Sequence, residues 1–222
     1  ELAESGLLSD LLHRPESARW YHNDIELCVT NKRKLQEELS SMLEVVYEDA
    51  PRLHNELINR DRPSSQAVSA RNKLLSAMLS NGKEPDLGIN KYPAEKALYR
   101  SLLKQTCLHV YDEKTNAWKF QAPLKDREEC NLLPVWREID DFLASTEAQE
   151  RAFIELNSKL CSAPYGVKAG VLPILYLSAY IVNQHELAIF ENRRYRPTFT
   201  QEMVERFIKA PSDFTFQRVR ID

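Results

Sequence analysis

The segment Leu108–Phe120, LHVYDEKTNAWKF, decides the fold, because it has the pattern of a β-hairpin. Apolar residues alternate with polar ones on both arms; they are Leu108 and Val110 on the first arm and Trp118 and Phe120 on the second. The polar residues Asp112–Asn116 lie between the arms and favour a turn. Such a hairpin, where helices precede it, is typical of the wing of a winged-helix unit.

Helical patterns do precede the hairpin. Across residues 31–59 apolar side chains follow helical spacing with an interruption near Pro51, which predicts one long helix with a break or two helices. A second helix is predicted over residues 65–80 behind an N-cap at Ser64 or Ser65. A third begins near Pro93, a residue tolerated in the first turn of a helix. Helices followed by a hairpin outline a winged helix.

The second half of the chain repeats this order of elements. Residues 132–143, 153–160 and 171–182 are predicted helices, and they precede two strands on either side of a turn at Glu191–Arg193. A cap at Thr200–Glu202 opens a last helix, and a strand follows from residue 214 to 221. The order recurs at a spacing of about 75–80 residues.

The repeat predicts a mainly α protein with small β-hairpins, an α+β fold of tandem winged-helix-like units. Residues 1–30 are predicted to be a segment that packs on a neighbour, 31–125 the first winged-helix-like unit, and 126–222 the second. Residues 1–12 are expected to form a short helix, and Trp20–His22 an ordered loop. The chain starts without methionine and without a basic leader, which suggests a piece of a longer cytoplasmic protein.

Composition and charge limit the classes of partner. The formal net charge of −3 gives no general attraction to nucleic acid or to an anionic membrane. The acidic excess lies in residues 1–63, which carry 13 acidic and 8 basic side chains. The longest apolar stretch, Val171–Val182, is too short for a membrane span, so we expect a core helix and no membrane partner. The four cysteines are far apart and are expected to be reduced and buried.

Motifs for chemistry are missing from the sequence. Neither GxxxxGK[ST] nor GxGxxG occurs, and the nearest fragment, Gly166–Gly170, lacks the Lys-Ser/Thr pair of a phosphate-binding loop. No GxSxG or HExxH motif occurs, and the five histidines are isolated. The sequence therefore predicts a chain that is not an enzyme, with no catalytic residue, no metal site and no cofactor.

Two groups of basic residues are candidate binding sites. Arg193, Arg194 and Arg196 surround Tyr195 at the tip of the second predicted wing, and Lys168 lies at the start of its recognition-like helix. Basic wing tips contact phosphate backbones in many winged helices. The alternative is that these arginines form ion pairs with Glu191 or Glu202.

The second, weaker group is a candidate anion site at the start of the helix predicted over residues 65–80. Arg60, Arg62 and Arg71 lie around Ser64 and Ser65, and arginines beside a helix N-terminus can hold an anion. The alternative is that the serines only cap the helix.

Several phrases of the sequence resemble a known family. They are Asn55–Arg60 with Pro63–Ser65, Tyr92–Glu95 with Tyr99–Leu103, and Ala163–Val167 with Leu187–Glu191. They are similar to the C-terminal regions of very large bacterial P-loop, AAA-like ATPases of phage-defence and restriction loci, of the BREX type. The resemblance implies a parent ATPase with a role in antiviral defence. No nucleotide-binding residue of that family matches a position here.

The sequence indicates two candidate functions. The first is a protein-interaction module, in which the wings and the acidic N-terminal helices dock another domain or subunit of a defence complex. The second is a module that contacts double-stranded DNA through the second wing. An enzyme with an unfamiliar site has no sequence feature in its favour.

Overall fold

The computed structural model describes residues 10–57, 64–124 and 130–219, and the chain divides between Glu48 and Asp49 into two units. Helices and small antiparallel sheets make up the described residues, so the predicted α+β class is confirmed. The winged-helix arrangement and the boundaries at 30/31 and 125/126 stay predictions. Among the described residues, no helix combines the length and apolar character that crossing a bilayer requires.

The first unit contains a hairpin and a helix. Strands β1 (Trp20–His22) and β2 (Ile25–Leu27) pair antiparallel, with Trp20 opposite Leu27. The expectation of a loop at Trp20–His22 is wrong, because Asn23 and Asp24 both have positive φ (50° and 63°) and close a two-residue hairpin turn. Residues 10–13 are helical as expected, and residues 1–9 of that predicted helix lie outside the described residues.

Helix α1 (Lys32–Val46) completes the first unit. The Asn31 side chain caps it by accepting a hydrogen bond from the Lys34 N–H at 2.9 Å. The helical pattern was predicted to continue toward residue 59, but residues 51–57 contain no helix, and 58–63 lie outside the described part of the chain. Leu53 and Leu57 instead pack as partly buried side chains against the core of the second unit.

The second unit begins with helices and the hairpin predicted over residues 108–120. Helix α2 (Ser65–Ser80) is followed by α3 (Ala94–Tyr99), which continues as a π-helical turn over Arg100–Lys104. Strands β3 (His109–Asp112) and β4 (Ala117–Phe120) then pair antiparallel, with His109 opposite Phe120. The predicted helix at 65–80 and the predicted hairpin are confirmed.

The rest of the second unit follows the predicted order with one change. Helices α4 (Leu133–Ser145) and α6 (Leu172–Asn183) lie where they were expected, but the helix predicted over 153–160 is a 3-10 turn, Phe153–Leu156, leading into α5 (Asn157–Cys161). Strands β5 (Leu187–Glu191), β6 (Arg194–Arg196) and β7 (Phe214–Arg218) form a sheet in the order β6-β5-β7. Helix α7 (Gln201–Lys209) connects β6 to β7.

A continuous hydrophobic core joins the elements of the second unit. Its members come from both predicted winged-helix halves, from Ala70 on α2 to Phe216 on β7. Helix α6 is apolar on nearly all sides because the core surrounds it, whereas α7 buries only one face, through Met203, Val204 and Phe207. This packing fixes the position of the sheet and of the hairpin that extends from it.

The cysteines correct one expectation. Cys107 and Cys130 are buried as predicted, but Cys28 and Cys161 are exposed. None of these four thiols, all in the described part of the chain, forms a disulfide.

Candidate interaction surface at the β5–β6 hairpin

The turn between β5 and β6 places three of the predicted arginines at one tip. Asn192 and Arg193 form the turn with φ of 50° and 62°, the left-handed region that two-residue hairpin turns require. The register pairs Glu191 with Arg194 and Phe190 with Tyr195. Because side chains alternate across a strand, Arg194 and Arg196 share one face of β6 and Tyr195 lies on the other.

Glu191 neutralises part of this basic tip. Its side chain is only 5% exposed, yet it holds two guanidinium groups. Arg196 donates to Oε2 at 2.9 Å, and Arg206 of α7 donates through Nε to Oε1 at 2.5 Å. The hydrogen bond from Arg206 is the largest cause that holds the pKa of the Glu191 carboxyl below its usual value. The pairing with Glu191 that the sequence left open is therefore present for Arg196.

Arg206 is the member of this group that sequence reasoning missed. It lies in the last turn of α7, where its Nη1 also donates to the carbonyl oxygen of Glu202 at 3.2 Å. The signal available in the sequence was its position on the polar side of an amphipathic helix. That signal does not say which acid across the sheet the side chain would reach.

The other two arginines and the tyrosine face solvent. Arg193, Arg194 and Tyr195 are exposed, and Tyr195 makes an edge contact with Phe190 at 6.0 Å between ring centroids. Neither Arg193 nor Arg194 has an ion-pair partner within the described residues. The tip thus presents two uncompensated positive charges beside one aromatic ring.

The remaining predicted site residues lie elsewhere. Lys168 is in the turn before α6, where its carbonyl oxygen accepts from the Val171 N–H at 2.8 Å. Ser64 caps α2 by accepting from the Ala67 N–H at 3.2 Å, and Ser65 is the first, exposed residue of that helix. Arg60 and Arg62 lie outside the described residues. The anion-binding function of this group stays a prediction.

A polar network is buried beneath the β3–β4 hairpin. The Tyr99 hydroxyl is 3.0 Å from Nδ1 of His109, and Nε2 of His109 is 3.0 Å from the Gly82 carbonyl oxygen. Burial lowers the pKa of His109. Within residues 10–57, 64–124 and 130–219, no group of three or more His, Cys, Asp or Glu side chains is arranged to hold a metal ion.

The first unit presents a different kind of surface. Three large apolar side chains on one face of α1 stay exposed: Leu39 at 43%, Leu43 at 55% and Val46 at 49%. Their spacing of four and three residues puts them in one row along the helix.

No family model, curated protein or solved structure matches the chain. The function must therefore be inferred from these surfaces.

Proposed function

We propose that this chain is a non-catalytic, winged-helix-type module that mediates protein–protein assembly within a bacterial defence complex built around an ATPase. The observation that carries the proposal is the exposed apolar row Leu39, Leu43 and Val46 on α1. Contiguous apolar side chains left exposed to water on one face of a helix are typical of a docking face. The resemblance of the sequence to ATPases of phage-defence loci is the reason for proposing a defence complex.

The charges of the first unit indicate the chemistry of the partner. Residues 1–48 carry 10 acidic and 5 basic side chains, so an apolar groove with a basic rim is the complementary surface. An amphipathic helix binds such a groove through residues spaced three and four apart, as on α1. We assign the groove to the ATPase region of the parent protein or to a subunit encoded beside it.

Co-expression with these candidate partners tests the proposal. The double variant Leu43→Glu/Val46→Glu places two charges in the apolar row, and Ser41→Glu places one on an exposed part of α1 away from the row. We expect the wild-type chain and Ser41→Glu to co-elute with the partner in size-exclusion chromatography, and the double variant to elute alone while keeping its circular dichroism spectrum.

Two outcomes would contradict the proposal. In one, the double variant co-elutes as well as the wild type, so the row on α1 is not the docking face. In the other, light scattering shows that the chain alone is a dimer that the double variant dissociates, so a second copy covers the row.

DNA contact through the β5–β6 hairpin is the second candidate function. It is favoured by the exposure of Arg193, Arg194 and Tyr195 at the tip, where guanidinium groups could meet phosphates and the ring could meet a sugar or base. Against it, Glu191 already forms ion pairs with both Arg196 and Arg206, so these two guanidinium groups are engaged within the protein and are less free to contact phosphates. Protein docking therefore stands first.

A further inference from the structure

A cavity of about 190 Å³ lies within the second unit beside α2, which packs against both α6 and α7. Its apolar wall includes Leu172 of α6 and Phe207 and Ile208 of α7. Polar groups enter it from Arg71, Asn157 and Tyr176. The cavity therefore combines a mostly apolar wall with one cationic side chain, as small-molecule sites often do.

Arg71 is unusual among the arginines of this unit. Its Nε is buried and has no hydrogen-bond partner, and the guanidinium forms no ion pair within the described residues. Arg151, Arg206 and Arg218 each hold a glutamate within 2.8 Å or less. Burial lowers the pKa of Arg71, but an arginine stays charged in proteins, so the buried Nε is a donor of a partly buried cationic group that lacks an acceptor.

Two further polar residues of the cavity, Tyr176 and Asn157, are hydrogen-bonded to each other. The Tyr176 hydroxyl donates to Oδ1 of Asn157 at 2.8 Å. Because Oδ1 is engaged as an acceptor, the Nδ2 group is the end of this amide that can donate to a ligand. Asn157 and Arg71 both line the same cavity, and each carries N–H donors.

We propose that this cavity binds a small organic carboxylate. Its carboxylate accepts hydrogen bonds from Arg71 and from Nδ2 of Asn157, and its apolar part lies against Leu172, Phe207 and Ile208. A planar guanidinium matches the two oxygens of a carboxylate, which makes this the strongest kind of charge-assisted pair. An apolar cavity of about 150 Å³ is large enough for benzene, so an acid of the size of benzoate fits here.

The apolar wall argues for an organic acid over a free phosphate. Inorganic phosphate would satisfy Arg71 but would leave its other oxygens against Phe207 and Ile208 without donors, which costs free energy. An organic carboxylate carries its charge at one end only, so the charged end can contact the polar side chains while the apolar end contacts the apolar wall.

Thermal unfolding and calorimetric titration of the full chain test the proposal with named probes. These are benzoate, phenylacetate, the neutral analogue benzyl alcohol, and inorganic phosphate. We expect benzoate or phenylacetate to raise the Tm and to bind at least about tenfold more tightly than benzyl alcohol, the effect of one charge-assisted hydrogen-bonded pair. Phosphate is expected to leave the Tm unchanged.

Three variants separate binding from folding. Arg71→Met removes the partly buried cation and keeps an apolar side chain, so the folded state should be retained while the response to benzoate is lost. Arg71→Lys keeps a charge without the planar fork and should respond weakly. Lys73→Met removes an exposed cation two residues away on α2 and should respond like the wild type.

The proposal is overturned if neither acid shifts the Tm of the wild type. It is also overturned if Arg71→Met keeps the full response, or if phosphate stabilises the chain as much as benzoate does. None of these results bears on the docking face of α1, so the two proposals fail independently.

Discussion

The hydroxyl of Tyr99 and Nδ1 of His109 lie 3.0 Å apart in the buried core beneath the β3–β4 hairpin. The second ring nitrogen of His109 faces the carbonyl oxygen of Gly82, which can only accept, so Nε2 carries the proton. It follows that Nδ1 is the acceptor and that Tyr99 donates to it. The imidazole is therefore held neutral, and protonation of Nδ1 would set its new N–H against the tyrosine hydroxyl proton.

This geometry predicts a loss of stability at acidic pH. The pKa of His109 is lowered from its ordinary value of 6.5, so below that value the unfolded chain binds a proton that the folded chain does not. The contribution is complete above pH 6.5 and is lost as the pH falls toward the lowered pKa. The slope from this group is at most about 1.4 kcal/mol per pH unit.

Urea unfolding of the wild type and of His109→Gln at several pH values measures the effect. Glutamine keeps a donor for Gly82 but does not titrate. We expect the free energy of unfolding of the wild type to fall more steeply below pH 6.5 than that of the variant. Parallel curves for the two proteins would show that the pKa of His109 is the same in the folded and unfolded chain, which contradicts the prediction.

The turn residue Arg193 predicts a stabilising substitution. Its φ of 62° is in the left-handed region, where a residue with a side chain is less stable than glycine by about 1 kcal/mol. Arg193→Gly should therefore raise the Tm by about 2–4 °C in a unit of this size. Arg193→Ala, which keeps the strain of a side chain at positive φ, is the matched control. A Tm of Arg193→Gly at or below that of Arg193→Ala would contradict the prediction.

DNA contact at the same tip predicts salt-dependent binding with a small slope. Arg193 and Arg194 have no ion-pair partner among the described residues, and each phosphate contact changes the logarithm of the affinity by about 0.9 per logarithmic unit of salt. Fluorescence anisotropy of labelled double-stranded DNA at about 50 and 200 mM salt should therefore give a shallow slope. Arg193→Glu/Arg194→Glu should abolish binding.

Arg196 is left unchanged in that experiment because it is ion-paired. Replacing it with glutamate would put a second carboxylate beside the buried Glu191 and destabilise the hairpin, which would confuse binding with folding. Lys83→Glu/Lys114→Glu, two charge reversals at exposed positions away from the tip, changes the net charge by the same amount and serves as the charge-matched control. Binding that survives the double reversal would remove the tip from the candidate contacts.

The sequence anticipated the elements whose signals are local. Helix α2 has its Ser64 cap, and the β3–β4 hairpin has alternating apolar residues and a polar turn, so both were predictable. The β1–β2 hairpin was missed because its arms have three residues each, too short to show alternation; the Asn23-Asp24 turn was the available signal.

The contacts that define the candidate sites are not local. Arg206 reaches Glu191 from fifteen residues away because α7 crosses the sheet, and Arg71 lacks an anion because of what α6 and α7 place around it. No spacing in the sequence reports either fact. Periodicity shows which side of a helix is polar, whereas the identity of a partner depends on how the elements pack.

Strand β6 has a consequence for solubility. In the described part of the chain it pairs with β5 on one side and has no strand on the other, so its outer backbone groups can accept a further strand. It is three residues long, and two of those residues are arginines. Short length and like charges oppose the stacking of one copy on the next, so these guanidinium groups keep the sheet from growing into an aggregate, whatever else they bind.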